Sequence, residues 1–204
     1  MTASPAEASG GGARQRWRLT VAIAPPAADL TERALLDALV GGFAGAGLPI
    51  ATAGTARPKP RVALAAPLPR GAIAEVDLVE LFLADRLPVD EVRQRASLGL
   101  PEGMRLVALE DEWIGAPSLA SRVAAVVYRV DVLGAPGTAA PAVPDGGPVR
   151  LVEWHEERGR GMLAVRFERD AAGRLGRPLE AVQAVAGELR VTALIRVSVE
   201  LAGE

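Results

Sequence analysis

Glu75 and Asp77 stand two residues apart in AIAEVDLVELFL, and along an extended strand that spacing puts two side chains on one face about 7 Å apart. Carboxylates so placed can share a divalent ion or divide acid and base roles. With nothing else converging on them, they are a solvated strand face. A second chemistry is anion binding. Arg57, Lys59, Arg61 and Arg70 crowd into GTARPKPRVALAAPLPRG, residues 54–71, among Pro58, Pro60, Pro67 and Pro69. Prolines preorganise such a loop, so little entropy is lost when it holds a phosphate or an acidic partner surface. The same charges and prolines also protect a sheet edge from pairing with another edge. The formal net charge of −2 lends the loop no global attraction for anions, which favours the protective role.

Two further groups of residues qualify. In LRVTALIRVSVEL the row Val191, Ala193, Ile195, Val197, Val199 and Leu201 is apolar, while Arg190, Thr192, Arg196 and Ser198 alternate with it. Arg166 and Glu168 oppose Leu163, Val165 and Phe167 in the same way in the preceding strand. The expectation is an open, Arg-bearing sheet face formed by Arg166, Arg190 and Arg196, either solvated or docked on a partner or on the rest of the chain. His155, in EWHEERGRG, alternates with Trp154 and lies among Glu153, Glu156 and Glu157. It reads as a surface residue of a hairpin.

What is missing narrows the chemistry. The chain has no cysteine and one histidine, so thiolate catalysis, disulfides, iron–sulfur ligation and a His-rich metal site have no ligands within it. No metal and no cofactor is expected. GGFAGAG ends a helical stretch, whereas a dinucleotide fingerprint follows a strand and opens a helix. Seven aromatic residues among 204 give little material for base-stacking platforms. Neither a long apolar run nor a signal-peptide core is present, and the expected compartment is the cytoplasm, with no membrane association.

Local patterns along the chain set where these residues sit. Residues 1–15, rich in Ala, Gly and Ser, form a disordered tail. RWRLTVAIA alternates as a half-buried strand. Asp29 and Glu32 have capping-box spacing before a helix whose apolar face is Leu36, Leu39, Val40 and Phe43. Strands come next over Arg61–Ala66 and Ala72–Leu83, the latter with a bulge or with deep burial on both sides. Pro88 opens a helix carrying Val89, Val92 and Ala96, Gly99 closes it, and MRLVALED is the next strand. Residues 16–115 thus run strand, helix, strand, strand, helix, strand. That βαββαβ order is ferredoxin-like. Residues 116–204 repeat it in degenerate form: a Ser118-capped turn into a strand, a Gly/Ala/Pro loop over 134–148 in place of the first helix, two strands, the helix RPLEAVQAVAG, and a last long strand. The predicted class is α+β, with two ferredoxin-like units.

RWRLTVAIA, LPIATAG, PKPRVALAAPLPRG with Glu75 and Asp77, LPEGMRLVALED, APSLASRVAAVVYRVDV and RPLEAVQAV together resemble the radical-SAM-linked family, DUF2344. The resemblance spans nearly the whole chain. It implies a partner, a radical-SAM enzyme of the cobalamin-binding type, more than it implies an activity. Two family segments are altered. PPAADLTERAL stands where relatives carry Ser-His-Leu-Asp before the first helix, and GTARPKP stands in place of a Gly-Phe-Asn-Pro run. The functional expectation is a non-catalytic accessory or substrate-presenting protein. RNA binding or RNA processing is the alternative, and an enzyme using Glu75, Asp77 and Arg61 is the third reading.

Overall fold

The computed structural model describes residues 12–134, 139–140, 149–170, 175, 178–187 and 189–203. The tail expected over residues 1–15 falls mostly outside these residues, as does most of the loop expected over 134–148.

Strand β1 (Gln15–Ile23) buries Trp17, Leu19, Val21 and Ile23, as its alternation requires. A 3₁₀ turn over Ala27–Asp29 leads into helix α1 (Glu32–Gly45). The cap is Thr31, whose hydroxyl accepts the Ala34 N–H at 3.2 Å; Asp29, expected in that role, lies in the 3₁₀ turn. The buried face of α1 is Leu35, Leu39 and Phe43, and Leu36 and Val40, expected on it, are half-buried at its margin.

A short ribbon of β2 (Thr52–Ala53) and β3 (Lys59–Pro60) comes next, then β4 (Val62–Leu64), β5 (Ile73–Leu83), helix α2 (Val89–Gly99) and β6 (Met104–Glu112). Val92 and Ala96 are buried on α2, whereas Val89 is exposed. Gly99 does more than end its helix. A Cβ on Gly42 of α1 would fall 2.0 Å from the Gly99 carbonyl oxygen, and one on Gly99 would fall 2.7 Å from that of Gly42. The two helices cross where neither carries a side chain.

The second half consists of α3 (Leu119–Arg122), β7 (Val123–Leu133), β8 (Val149–Glu157), β9 (Arg160–Glu168), α4 (Pro178–Ala186) and β10 (Arg190–Leu201). Ser118 caps α3 by accepting the Ser121 N–H. Arg158 and Gly159, both at positive φ, make the two-residue turn between β8 and β9.

All strands except β2 and β3 join one eight-stranded sheet in the order β6-β1-β5-β10-β7-β9-β8, with β4 also on β5. Every pairing is antiparallel except β10 with β5. The fold is therefore α+β, with a large, mostly antiparallel sheet and four helices among the described residues. The first half runs β6-β1-β5-β4 and the second β10-β7-β9-β8, the same order of fourth, first, third and second strand. The halves meet on β5, where β4 holds Val79–Leu81 and β10 holds Ile73 and Ala74.

Two apolar cores lie on opposite sides of this sheet. One joins α1 and α2 to Val79, Leu81 and Leu83 of β5. The other joins α3 and α4 to Leu78 and the inner rows of β7 and β9. Strand β5 is accordingly buried on both faces from Asp77 onward, and its register against β1 shifts between Val21 and Ile23. In β10, register shifts after Val191, Arg196 and Glu200 break the regular alternation expected from the sequence, since each bulge reverses the facing of the residues beyond it.

Candidate functional site

The polar centre of the molecule is built on β5. Asp77 lies between the last β4-side bond, from the Ala65 N–H to the Leu78 carbonyl, and the pairing with β10. It is fully buried. Its Oδ2 accepts Arg196 Nη1 at 2.7 Å, and its Oδ1 accepts the Leu78 N–H at 2.8 Å. Arg196 is fully buried too, which corrects the expectation of an open arginine face. Its Nε and Nη2 donate to Tyr128 Oη at 3.1 and 2.7 Å. Nη1 also donates to the Ala66 carbonyl at 3.2 Å, and Nη2 to that of Pro67. All five guanidinium N–H groups are thereby used. Burial works against the Arg196 charge, but Asp77 and Tyr128 outweigh it and hold the group above its usual range. Burial also pushes the Asp77 carboxyl up, opposed by the Arg196 charge and the Leu78 N–H.

A second buried pair stands three residues along β5. Arg16 donates from Nε at 3.1 Å and from Nη2 at 2.5 Å to Glu80 Oε1, which also accepts the Leu119 N–H at 3.0 Å. The remaining Arg16 protons go to the carbonyls of Trp113 (3.2 Å), Ala116 (2.5 Å) and Pro117 (2.6 Å). One side chain from β1 thus fastens the segment between β6 and α3 to the sheet. That segment holds Trp113 and Ile114 outward, 76% and 40% exposed.

Beside this segment lies a cleft of about 240 Å³ lined by Arg61, Phe82, Glu80, Ile114, Ala116 and Ser118, among others. Arg61 is placed by its backbone. Its N–H donates to the Ala51 carbonyl at 2.8 Å, and its own carbonyl accepts the Phe82 N–H at 3.0 Å. Its guanidinium carbon sits 3.5 Å from the Phe82 ring centroid, within the range of a cation–π contact. Unlike Arg16 and Arg196, its side chain makes no hydrogen bond or ion pair with any described residue.

The other expected cations go elsewhere. Arg57 is exposed beyond the ribbon and Lys59 is exposed on it; Lys59 also borders a different cleft, with Arg33 and Asp37 of α1. Arg70 donates from Nε to the Asp29 carbonyl at 2.8 Å. The loop therefore does not bring its four cations to one point. On the open face of the second half, Arg166 bonds Glu200 at 2.6 Å and also pairs with Glu168. Arg129 meets Glu75 at 2.9 Å, and Arg150 meets Glu168 at 3.4 Å. This face is balanced in charge. Arg190 is exposed at the start of β10. His155 is exposed beside Asp131, Arg160 and Thr192. Glu75, Asp77 and Arg61 have three separate surroundings, so they form no joint site.

Sequence reasoning missed Arg16, Glu80, Phe82 and Tyr128. One signal was present: a single acid inside LVELFL has to be paired if the strand is buried on both faces.

Among the described residues no group of three or more His, Asp or Glu side chains is arranged to hold a metal ion, and no helix is long and apolar enough to cross a membrane. The profile of the family described as uncharacterized protein conserved in bacteria (DUF2344) matches residues 43–157, more than half of the chain. No curated protein matches the chain.

Proposed function

The chain belongs to the DUF2344 family, and on that premise we propose that it is a non-catalytic accessory or substrate-presenting protein of the cytoplasm. Its partner in this reading is a radical-SAM enzyme of the cobalamin-binding type, as the sequence resemblance implies. The observation that carries a docking role is Trp113, 76% exposed on a segment whose carbonyls are fastened by the buried Arg16. Trp is enriched among residues that dominate interface energies, and a side chain presented from a fixed backbone loses less entropy on docking. Ile114 beside it enlarges the apolar contact. Supporting this, the carboxylates best suited to chemistry are engaged elsewhere: Asp77 and Glu80 hold the sheet together, and Glu75 pairs with Arg129.

The shared strand order of the two halves supports reading them as paired ferredoxin-like units. RNA binding draws less support, because Arg129, Arg150 and Arg166 on the open sheet face each have a carboxylate partner. Co-expression with the radical-SAM enzyme of the same organism tests the proposal. A tagged copy of this protein is expected to retain the enzyme through washing, and Trp113→Ala is expected to release it. Failure of the wild-type protein to retain the enzyme would count against the reading.

A further inference from the structure

We propose that the cleft between β4 and the 113–118 segment is a binding site for a carboxylate carried on a small apolar body. The charges of its lining leave one cation over. Arg16 and Glu80 neutralise each other at 2.5 Å, and Arg61 remains without an acidic partner among the described residues. The Arg61 guanidinium carbon lies 3.5 Å from the Phe82 ring centroid, and with no acceptor among the described residues its N–H groups can take the two oxygens of a carboxylate in parallel. A single available fork, with Glu80 in the same wall, suits a monoanion better than a doubly charged phosphate ester. Beyond these charges and Ser118, the lining is apolar, Val62, Ala63, Phe82, Ile114 and Ala116, and suits a short hydrocarbon or aromatic group next to the carboxylate. The size, about 240 Å³, lies just below the usual range for drug-sized ligands, so the ligand is a small acid or the last residue of a chain. The site needs no enzyme partner, so it can fail or hold independently of the docking role.

The test is an NMR titration of the whole protein with hexanoate, hexanamide and hexyl phosphate, together with one peptide ending in Leu, as the free acid and as the C-terminal amide. Hexanoate is expected to saturate, with shifts centred on Phe82, Ile114 and Ala116, and hexanamide to bind at least tenfold more weakly. Arg61→Gln is expected to lose at least tenfold in hexanoate affinity, and Arg61→Lys to lose part of it by keeping the charge without the fork. Because the Arg61 side chain makes no hydrogen bond or ion pair with any described residue, both variants are expected to unfold close to the wild-type midpoint, which separates loss of the site from loss of the fold. If the acid-ended peptide binds more tightly than hexanoate and its amide does not, the source is a chain terminus; if hexanoate binds as well or better, it is a free acid. Equal binding of hexanoate and hexanamide, tighter binding of hexyl phosphate, or an undiminished Arg61→Gln variant overturns the proposal.

Discussion

Arg196 and Asp77 meet 2.7 Å apart with no exposed side-chain surface on either, at the point on β5 where β4 ends and β10 begins. Their pairing ties the last strand of the chain to the centre of the first half. Removing one partner of such a pair leaves a buried charge uncompensated, at a cost of about 3–5 kcal/mol. Arg196→Met is expected to lose this much in urea unfolding, and Asp77→Leu combined with it to lose less than the two single changes summed. Strict additivity would mean that the pair does not act as a unit.

Tyr128 is the only tyrosine and reports on the same cluster. Burial raises its pKa above the ordinary 10.0, against the lowering effect of Arg196. A phenol whose folded pKa is raised contributes stability that is complete below the unfolded value and lost as pH climbs towards the folded one. Tyrosinate absorbance is therefore expected above pH 10.0, together with falling stability. Ionisation at or below that pH, with the fold intact, would contradict the buried placement.

Adjacent glycines of α1 are expected to respond with opposite sign. Gly42→Ala drives a methyl against the Gly99 carbonyl and is expected to destabilise by about 1–3 kcal/mol, as overpacking does. A methyl added at Gly41 meets open space, so Gly41→Ala is expected to stabilise by up to about 1 kcal/mol through helix propensity. Thermal unfolding of both variants decides it, and equal effects would remove the helix contact from consideration.

The cap of α1 can be checked in the same assay. Thr31→Ala is expected to cost about 1 kcal/mol, while Asp29→Ala, which keeps the backbone carbonyl that Arg70 bonds, is expected to leave stability almost unchanged. The reverse result would restore the capping-box reading of Asp29 and Glu32.

Much of the architecture was legible in local patterns. The alternation in RWRLTVAIA, the Pro88 and Ser118 starts and the hairpin in EWHEERGRG each rest on nearest-neighbour physics, and each element forms where expected. The site was less legible because it depends on pairing across long sequence separations. Asp77 and Arg196 are 119 residues apart, and the bulges in β10 break the alternation that made Arg196 seem exposed. Arg61 was recognised as a cation of interest, but its aromatic support comes from Phe82 on the neighbouring strand. Lys59 lies on the ribbon and Arg70 bonds the Asp29 carbonyl, so the sequence cluster overstated how many cations converge.

The most direct test of the docking role is the affinity between this protein and the cobalamin-binding radical-SAM enzyme of the same organism, measured by calorimetry for wild type, Trp113→Ala and Glu75→Gln. A complex weakened at least tenfold by Trp113→Ala and unchanged by Glu75→Gln is the expected result. No heat of binding for the wild type, or a complex indifferent to Trp113, would contradict it.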